Sequence, residues 1–411
     1  MLARLNGFTL IIAATGLAGV AGFVITIIVR NEVSAVGYTV FMVFWGAMYL
    51  LVGALNGVQQ EVTRSTHVIE PGMRVGPSRA RNFGVALATA VFAAVVVSAP
   101  LWVDAVFPTE GWALVWPLAV AVGSYVLVAT LSGSLYGVQQ WRSLSLMIGV
   151  DGLLRLGLLI VALGFTDDVV TLAWVAALPF PLAIMLLWPV IRGGFVGRST
   201  LDVGTRTLVW NVARVVLASA STAVLVSGFP LLLGVTSQGA PDSLKAEIIF
   251  TITLARAPLV VSVLALQSYL IVRFRDDNGN WWRGFLSIQG IVVAAGAVVS
   301  LLALFLGPWA FGVVSAKPVT LDGAFMALLV ISSALVGTLC VSASAVLAKS
   351  QHFVFSLGWV AAAVVTIAVM STPLEFVPRV VVALLVGPVA GLVVHLGWLL
   401  STARTSKKVS Q

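Results

Sequence analysis

The sequence predicts an all-α polytopic membrane protein with about twelve transmembrane helices in two six-helix bundles. Three observations carry that prediction. Of 411 residues, 60% are hydrophobic and 9% charged, whereas a soluble domain carries about 25% charged residues. Mean hydropathy is +1.08. Long apolar runs recur from end to end, each near the ~20 residues that a helix needs to cross a bilayer. Such a surface cannot face water, which excludes soluble enzymes, DNA-binding proteins and secreted domains.

Charged or Pro/Gly-rich breaks delimit spans at 7–29, 36–57, 82–103, 112–137, 143–165, 169–191, 207–235, 247–271, 284–306, 323–347, 353–370 and 378–401. The first run has no small-residue cleavage site ahead of a soluble domain, so it reads as a retained span. The longest connection, Val58 to Arg81, is too short for a folded domain. Cys340 is the one cysteine and lies in an apolar run, so neither disulfides nor cysteine metal sites are expected. No cofactor and no metal is expected.

The net charge is +8, from 23 Lys and Arg against 15 Asp and Glu. With the N-terminus cytoplasmic, 16 of the 23 basic residues fall in inner segments. Arg30, Lys245, Lys317 and Arg379 fall outside, and Arg155, Arg214 and Arg256 lie within spans. That bias puts both termini in the cytoplasm. It also assigns the basic character to anionic lipid headgroups rather than to nucleic acid.

The two halves share a layout. Spans two and four end in Gly-Val-Gln-Gln, at 57–60 and 137–140, ahead of Arg64 and Arg142. In the second half, Gln267 precedes Arg273, and span ten ends with Lys349-Ser350-Gln351. Gln60 and Gln267 stand 207 residues apart, and Gln140 and Gln351 stand 211 apart. Interfacial capping by Gln and Arg explains part of the likeness. The near-constant offset points to two parallel six-helix lobes, 1–198 and 199–411, joined by the basic linker around Arg192–Arg206. Parallel halves with a site between them are a common transporter plan.

Several motifs resemble a known family. Gly19–Arg30 (GVAGFVITIIVR), Gly37-Tyr38 and Gly57–Arg64 (GVQQEVTR) look like the opening of polysaccharide-type flippases. Span eight, with Leu254–Leu259 (LARAPL) and then Leu266-Gln267, is similar to that of actinobacterial members. These flippases belong to the multidrug/oligosaccharidyl-lipid/polysaccharide exporter superfamily. The resemblance implies an alternating-access exporter of a bacterial inner membrane, with a V-shaped cavity lined by spans one, two, seven and eight. It implies a polyprenyl-phosphate-linked sugar as cargo, moved to the outer leaflet for envelope polysaccharide. Envelope glycosyltransferases or a polymerase would then be partners, and a monomer is the family default.

A charge near the bilayer centre costs about 2.5–3.5 kcal/mol on insertion scales, so each should have a partner or line a wet cavity. Arg256 lies nine residues from Glu247, roughly 14 Å into span eight at ~1.5 Å per residue. Its functional reading is a cation that binds the phosphate of a lipid carrier. The plain reading is an arginine bonded to neighbouring carbonyls. Arg214, about two turns into span seven with Asn211 one turn before it, either snorkels to the headgroups or assists Arg256. Gln59 and Gln267 would lie near the inner mouth, with Arg64 and Arg273 attracting anionic headgroups at the cytoplasmic surface.

Asp151 and Arg155 are four apart on one face of span five and read as a structural ion pair. Asp151 is the only carboxylate read as intramembrane, so an acid-based coupling site falls most easily there. The sharper reading therefore makes it a protonation or Na⁺ site for coupling. His395 reads as a satisfied interhelical histidine. Gly16, Gly19 and Gly22 are expected to pack span one closely against a neighbour. Pro179, Pro181, Pro230 and Pro388 mark possible kinks.

Two other functions compete. A polytopic glycosyltransferase would use acidic residues such as Asp167-Asp168, but this outer connection is only a few residues long. No Walker loop, Ser/His/Asp set or metal-ligand spacing is present. A multidrug or amphiphile exporter of the same superfamily would favour acids in its cavity, whereas this chain places arginines there. A non-transporting scaffold for envelope assembly is the third class. The sequence thus favours a flippase for an anionic lipid-linked sugar.

Overall fold

The computed structural model describes the chain apart from residues 1, 69–79, 196–198, 202, 257–269, 272, 275–280, 318–320 and 410–411. It is almost wholly helical, because a backbone in hydrocarbon must satisfy its N–H and C=O groups within each span. Among the described residues, eleven helices are long and apolar enough to cross a membrane. The other predicted span, 247–271, falls largely outside the described residues.

The chain packs as two compact units, Met1–Val235 and Thr236–Gln411. The lobe boundary read from the sequence, at 198/199, differs from this division by the seventh span, which packs along the second.

In the first unit, α1 (Leu2–Glu32) packs on α6 (Trp141–Leu163), and α3 (Ala80–Ser98) packs on α5 (Trp112–Gly137). α2 (Ala35–Ser65) packs against both α5 and α9 (Thr205–Val226). A short α4 (Val103–Val106) lies between α3 and α5. α7 (Val169–Ala177) and α8 (Pro179–Phe195) form one span, broken where Pro179 lacks an N–H to continue the ladder. Likewise α9 stops at Val226, and α10 (Phe229–Thr236) restarts with Pro230 in its first turn.

Two features depart from the expected layout. Helix α2 continues two turns past Gly57, so Gln59, Gln60, Glu61 and Arg64 are helical rather than in a loop. Beyond it, β1 (Thr66–Val68) pairs antiparallel with β2 (Ser199–Leu201), with His67 opposite Thr200. Three-residue strands carry no periodicity, which is why the sequence did not reveal this ribbon.

In the second unit, α13 (Gly323–Ala348) is central and touches α11 (Asp242–Arg256), α12 (Trp281–Val314), α14 (His352–Met370) and α15 (Phe376–Val409). Asp322 caps α13, its carboxylate accepting from Phe325 N–H at 2.7 Å.

The repeat has a local structural form. Helices α5 and α13 are both 26 residues long, and both ends are displaced by 211 positions. They are also the most enclosed spans, 67% and 78% buried over their most apolar stretches. After each comes the same turn. Gln139 and Ser350 take left-handed conformations, φ 58° and 59°. The next N–H, of Gln140 or Gln351, then donates to Leu135 or Val346 at 2.9 and 3.3 Å. Both glutamines open the following helix. The Gly-Val-Gln-Gln at 57–60 is unrelated in structure, because it lies inside α2.

Candidate functional site

Helices α2 and α9 meet through small residues. A Cβ on Gly57 would stand 2.6 Å from Val216 N, and one on Gly53 would stand 2.8 Å from Ala223 Cβ. One on Gly46 would lie 3.1 Å from Leu231 N, in α10. As the α2 numbers fall, the partner numbers rise, so the two spans run antiparallel with their backbones nearly touching. Gly16, Gly19 and Gly22, expected to do this job, would each meet nothing within 4 Å in the unit. Spacing of small residues marks a possible contact face, but the neighbour decides whether it is used.

A polar cluster ends the α2–α9 contact. The Glu61 side chain is 4% exposed and accepts from Arg64 through Oε1 at 2.6 Å and Oε2 at 2.9 Å. From α9, Asn211 Nδ2 donates to the same Oε1 at 2.8 Å. The Arg64 side chain as a whole is 53% exposed. The sequence reading missed Glu61 because the polar run from Gln59 to Arg64 resembles a loop. Packing of α2 against α5 and α9 is what brings a partner, Asn211, to the carboxylate.

Gln59 is half-buried on α2, and its carbonyl accepts from Thr63 Oγ1 at 2.8 Å. Arg214 is exposed on α9, with its guanidinium carbon 4.8 Å from the centre of the Trp210 ring. It pairs with no carboxylate among the described residues. Asn211 and Arg214 therefore serve different partners, although they share a helix face.

Asp151 and Arg155 form the expected pair, and more converges on it. Arg155 Nη1 donates to Asp151 Oδ2 and Tyr49 Oη, and Nη2 donates to Asp151 Oδ1, all at 2.9 Å. Its Nε donates to Ala176 O at 3.1 Å, and the Phe180 ring covers its face at 4.5 Å. One guanidinium thus ties α2, α6, α7 and α8 together. Both carboxylate oxygens of Asp151 are already engaged by a cation.

In the second unit, Arg256 closes α11 as a half-buried residue, and Arg273 is exposed. Gln267 and Pro258 lie outside the described residues. Glu247 is 5% exposed, and its Oε1 accepts from Leu321 N–H at 2.7 Å, fixing the start of the α13 segment. Glu61 and Glu247 are more deeply buried than Asp151, whose side chain is 21% exposed. Arg30, assigned to an outer loop, is 4% exposed at the end of α1, over the Tyr38 ring at 5.6 Å. His395 is fully buried among α13, α14 and α15. A carbonyl can only accept, so its Nε2 is the donor to Phe355 O at 3.2 Å, while Nδ1 lies 3.0 Å from Ser342 Oγ, whose hydroxyl also donates to Leu339 O at 2.8 Å. Among the described residues, no three His, Cys, Asp or Glu side chains cluster to hold a metal ion.

No family model matches the chain. The uncharacterized protein Rv3630 of Mycobacterium tuberculosis (strain ATCC 25618 / H37Rv) is 31% identical over 405 residues, 96% of this chain and 91% of its own. The uncharacterized protein Rv1510 of the same strain is 31% identical over 388 residues, 93% and 89% of the two chains. Among solved structures, the chain is similar to an inward-facing multidrug resistance MATE family transporter of the MOP superfamily. That likeness has TM-score 0.68 and 16% identity, covering 100% of this chain and 99% of the other. It is also similar to the lipid II flippase MurJ in an inward closed conformation, at TM-score 0.67 and 10% identity, covering 94% and 86%. The fold is that of the multidrug/oligosaccharidyl-lipid/polysaccharide exporter superfamily.

Proposed function

The chain belongs to the family of the mycobacterial proteins Rv3630 and Rv1510, and on that premise we propose that it is an alternating-access flippase for an anionic lipid-linked sugar. The cargo is a polyprenyl-phosphate-linked sugar, carried from the inner to the outer leaflet of a bacterial inner membrane for envelope polysaccharide. Both termini are cytoplasmic, by the arginine bias of the inner loops.

One observation carries the choice of cargo. On α2 and α9, the buried acid Glu61 is already matched by Arg64, while Arg214 is exposed with no carboxylate partner among the described residues. The excess charge on these walls is positive, which favours a phosphate over an amphiphilic cation. Arg256 and Arg214 each offer a planar fork to the phosphate of the cargo. Gln59 flanks the inner mouth, and Arg64 and Arg273 gather headgroups at the surface. The lipid tail stays in the bilayer during transport. Asp151, with both oxygens held by Arg155, acts as structure. The likeness to a multidrug transporter supports amphiphile export as the second reading.

The test is mass spectrometry of lipid-linked sugars, with leaflet-resolved labelling, in cells depleted of the protein. Build-up of one polyprenyl-linked glycan on the cytoplasmic side is the expected result, and Arg256→Ala should reproduce it at normal protein level. An unchanged lipid pool with altered drug sensitivity would replace the flippase by the drug exporter. A missing outer product despite a normally flipped donor would point to a glycosyltransferase.

A further inference from the structure

We propose that Glu61 is an internal stand-in for the cargo's phosphate, holding the Arg64 fork until an anionic headgroup displaces it and frees Asn211. This inference rests on the exporter reading above, since it supplies the first contact for that cargo.

Carboxylate and phosphate offer a guanidinium the same two-oxygen edge. In the structure, that edge of Arg64 is filled from its own helix, by both oxygens of Glu61. The two partners differ in access. The Glu61 side chain is 4% exposed and the Arg64 side chain 53% exposed, so an anion from water or a headgroup layer meets Arg64 before it meets Glu61.

Displacement has a consequence for α9. Once Arg64 turns to a phosphate, Glu61 is left as a buried carboxylate without its cation, a costly state. It must rotate toward water or take up a proton. Either change alters the oxygen that Asn211 holds, and that bond is the polar link between α2 and α9 at this end. The ribbon lies at the same end: β1 starts two residues after Arg64, and β2 ends four residues before α9 begins. Anion binding and loosening of this end are thereby linked through one carboxylate. A ligand that binds Arg64 only when Glu61 has let go shifts the population toward the loosened state.

The test uses the full-length protein in nanodiscs, with Cys340→Ser and a cysteine pair, His67→Cys and Thr200→Cys, at the paired positions of the ribbon. The rate of disulfide formation is followed with inorganic pyrophosphate, with farnesyl phosphate, or with farnesol. A severalfold slower rate with the anions and no effect of farnesol is expected. Slowing by both anions places the site in reach of free phosphate, and slowing by farnesyl phosphate alone makes it a headgroup site. Glu61→Gln keeps the shape and weakens the internal competitor, so the half-maximal anion concentration should fall about tenfold. Arg64→Gln should abolish the response. An equal effect of farnesol, no effect of either anion, or an unchanged midpoint in Glu61→Gln would overturn the proposal. The leaflet assay separates the two failures. Normal flipping with an anion-insensitive ribbon removes the stand-in and keeps the flippase; an anion-sensitive ribbon without flipping does the reverse.

Discussion

Gln139 and Ser350 share one backbone conformation, φ 58° and 59°, at positions 211 apart, each one residue before a glutamine that opens the next helix. Neither is glycine, although left-handed geometry costs an ordinary L-residue roughly 1–2 kcal/mol. Gln139→Gly and Ser350→Gly should therefore each stabilise the protein by about 1 kcal/mol. Thermal unfolding in detergent should show two similar upward shifts. A shift at one site alone would mean that the two turns carry different strain.

Arg155 links four helices, so its loss should be felt well beyond its charge partner. Arg155→Met leaves the half-buried Asp151 without a cation and should destabilise by about 3 kcal/mol. Adding Asp151→Leu should restore most of that stability. Exchanging Asp151 and Arg155 should not, because Tyr49, Ala176 and Phe180 are arranged around position 155. Export by the stable double variant is the decisive measurement. Lost export in a folded protein would assign Asp151 a part in coupling.

The glycines of α1 and α2 should respond oppositely to alanine. Gly57→Ala places a Cβ 2.6 Å from Val216 N and should cost about 1–3 kcal/mol by overpacking. Gly16→Ala meets nothing within 4 Å and should gain up to about 1 kcal/mol of helix propensity. Parallel melting curves check both.

Asp168 caps α7, its Oδ2 accepting from Thr171 Oγ1 at 2.6 Å and Thr171 N–H at 2.8 Å. The hydroxyl first, and then the backbone N–H, hold its carboxyl below the usual carboxylate value. Because the folded value is depressed, this contribution is complete above the unfolded value of about 3.9. It is lost as pH falls through the folded value. Asp168→Ala should cost about 0.5–2 kcal/mol at neutral pH, and the gap to wild type should close in acid. A gap that does not narrow at all as the pH is lowered from neutrality to 2 would contradict the capping role.

Much of the architecture was legible because the bilayer imposes simple rules. Span four, predicted at 112–137, is the helix Trp112–Gly137, since its apolar run ends sharply on both sides. The Asp151–Arg155 pair followed from helical spacing alone. Span two was read too short, because six polar residues after Gly57 look like a loop until α2 packs against α5 and α9. Glu61 was hidden for that reason. The glycines of α1 misled in the opposite sense, since a three-residue period records a face but not a partner.

The sequence by itself determined what local physics controls: the helical spans, the charge bias and the repeat at Gln140 and Gln351. Each depends on residues close in the chain, on hydropathy over about twenty positions or on one turn. Only the tertiary structure decided which charges meet. Asn211 reaches Glu61 across 150 positions, and Tyr49 reaches Arg155 across 106. Such pairings depend on which helices become neighbours, and that is fixed by close packing at residues such as Gly57 and Val216.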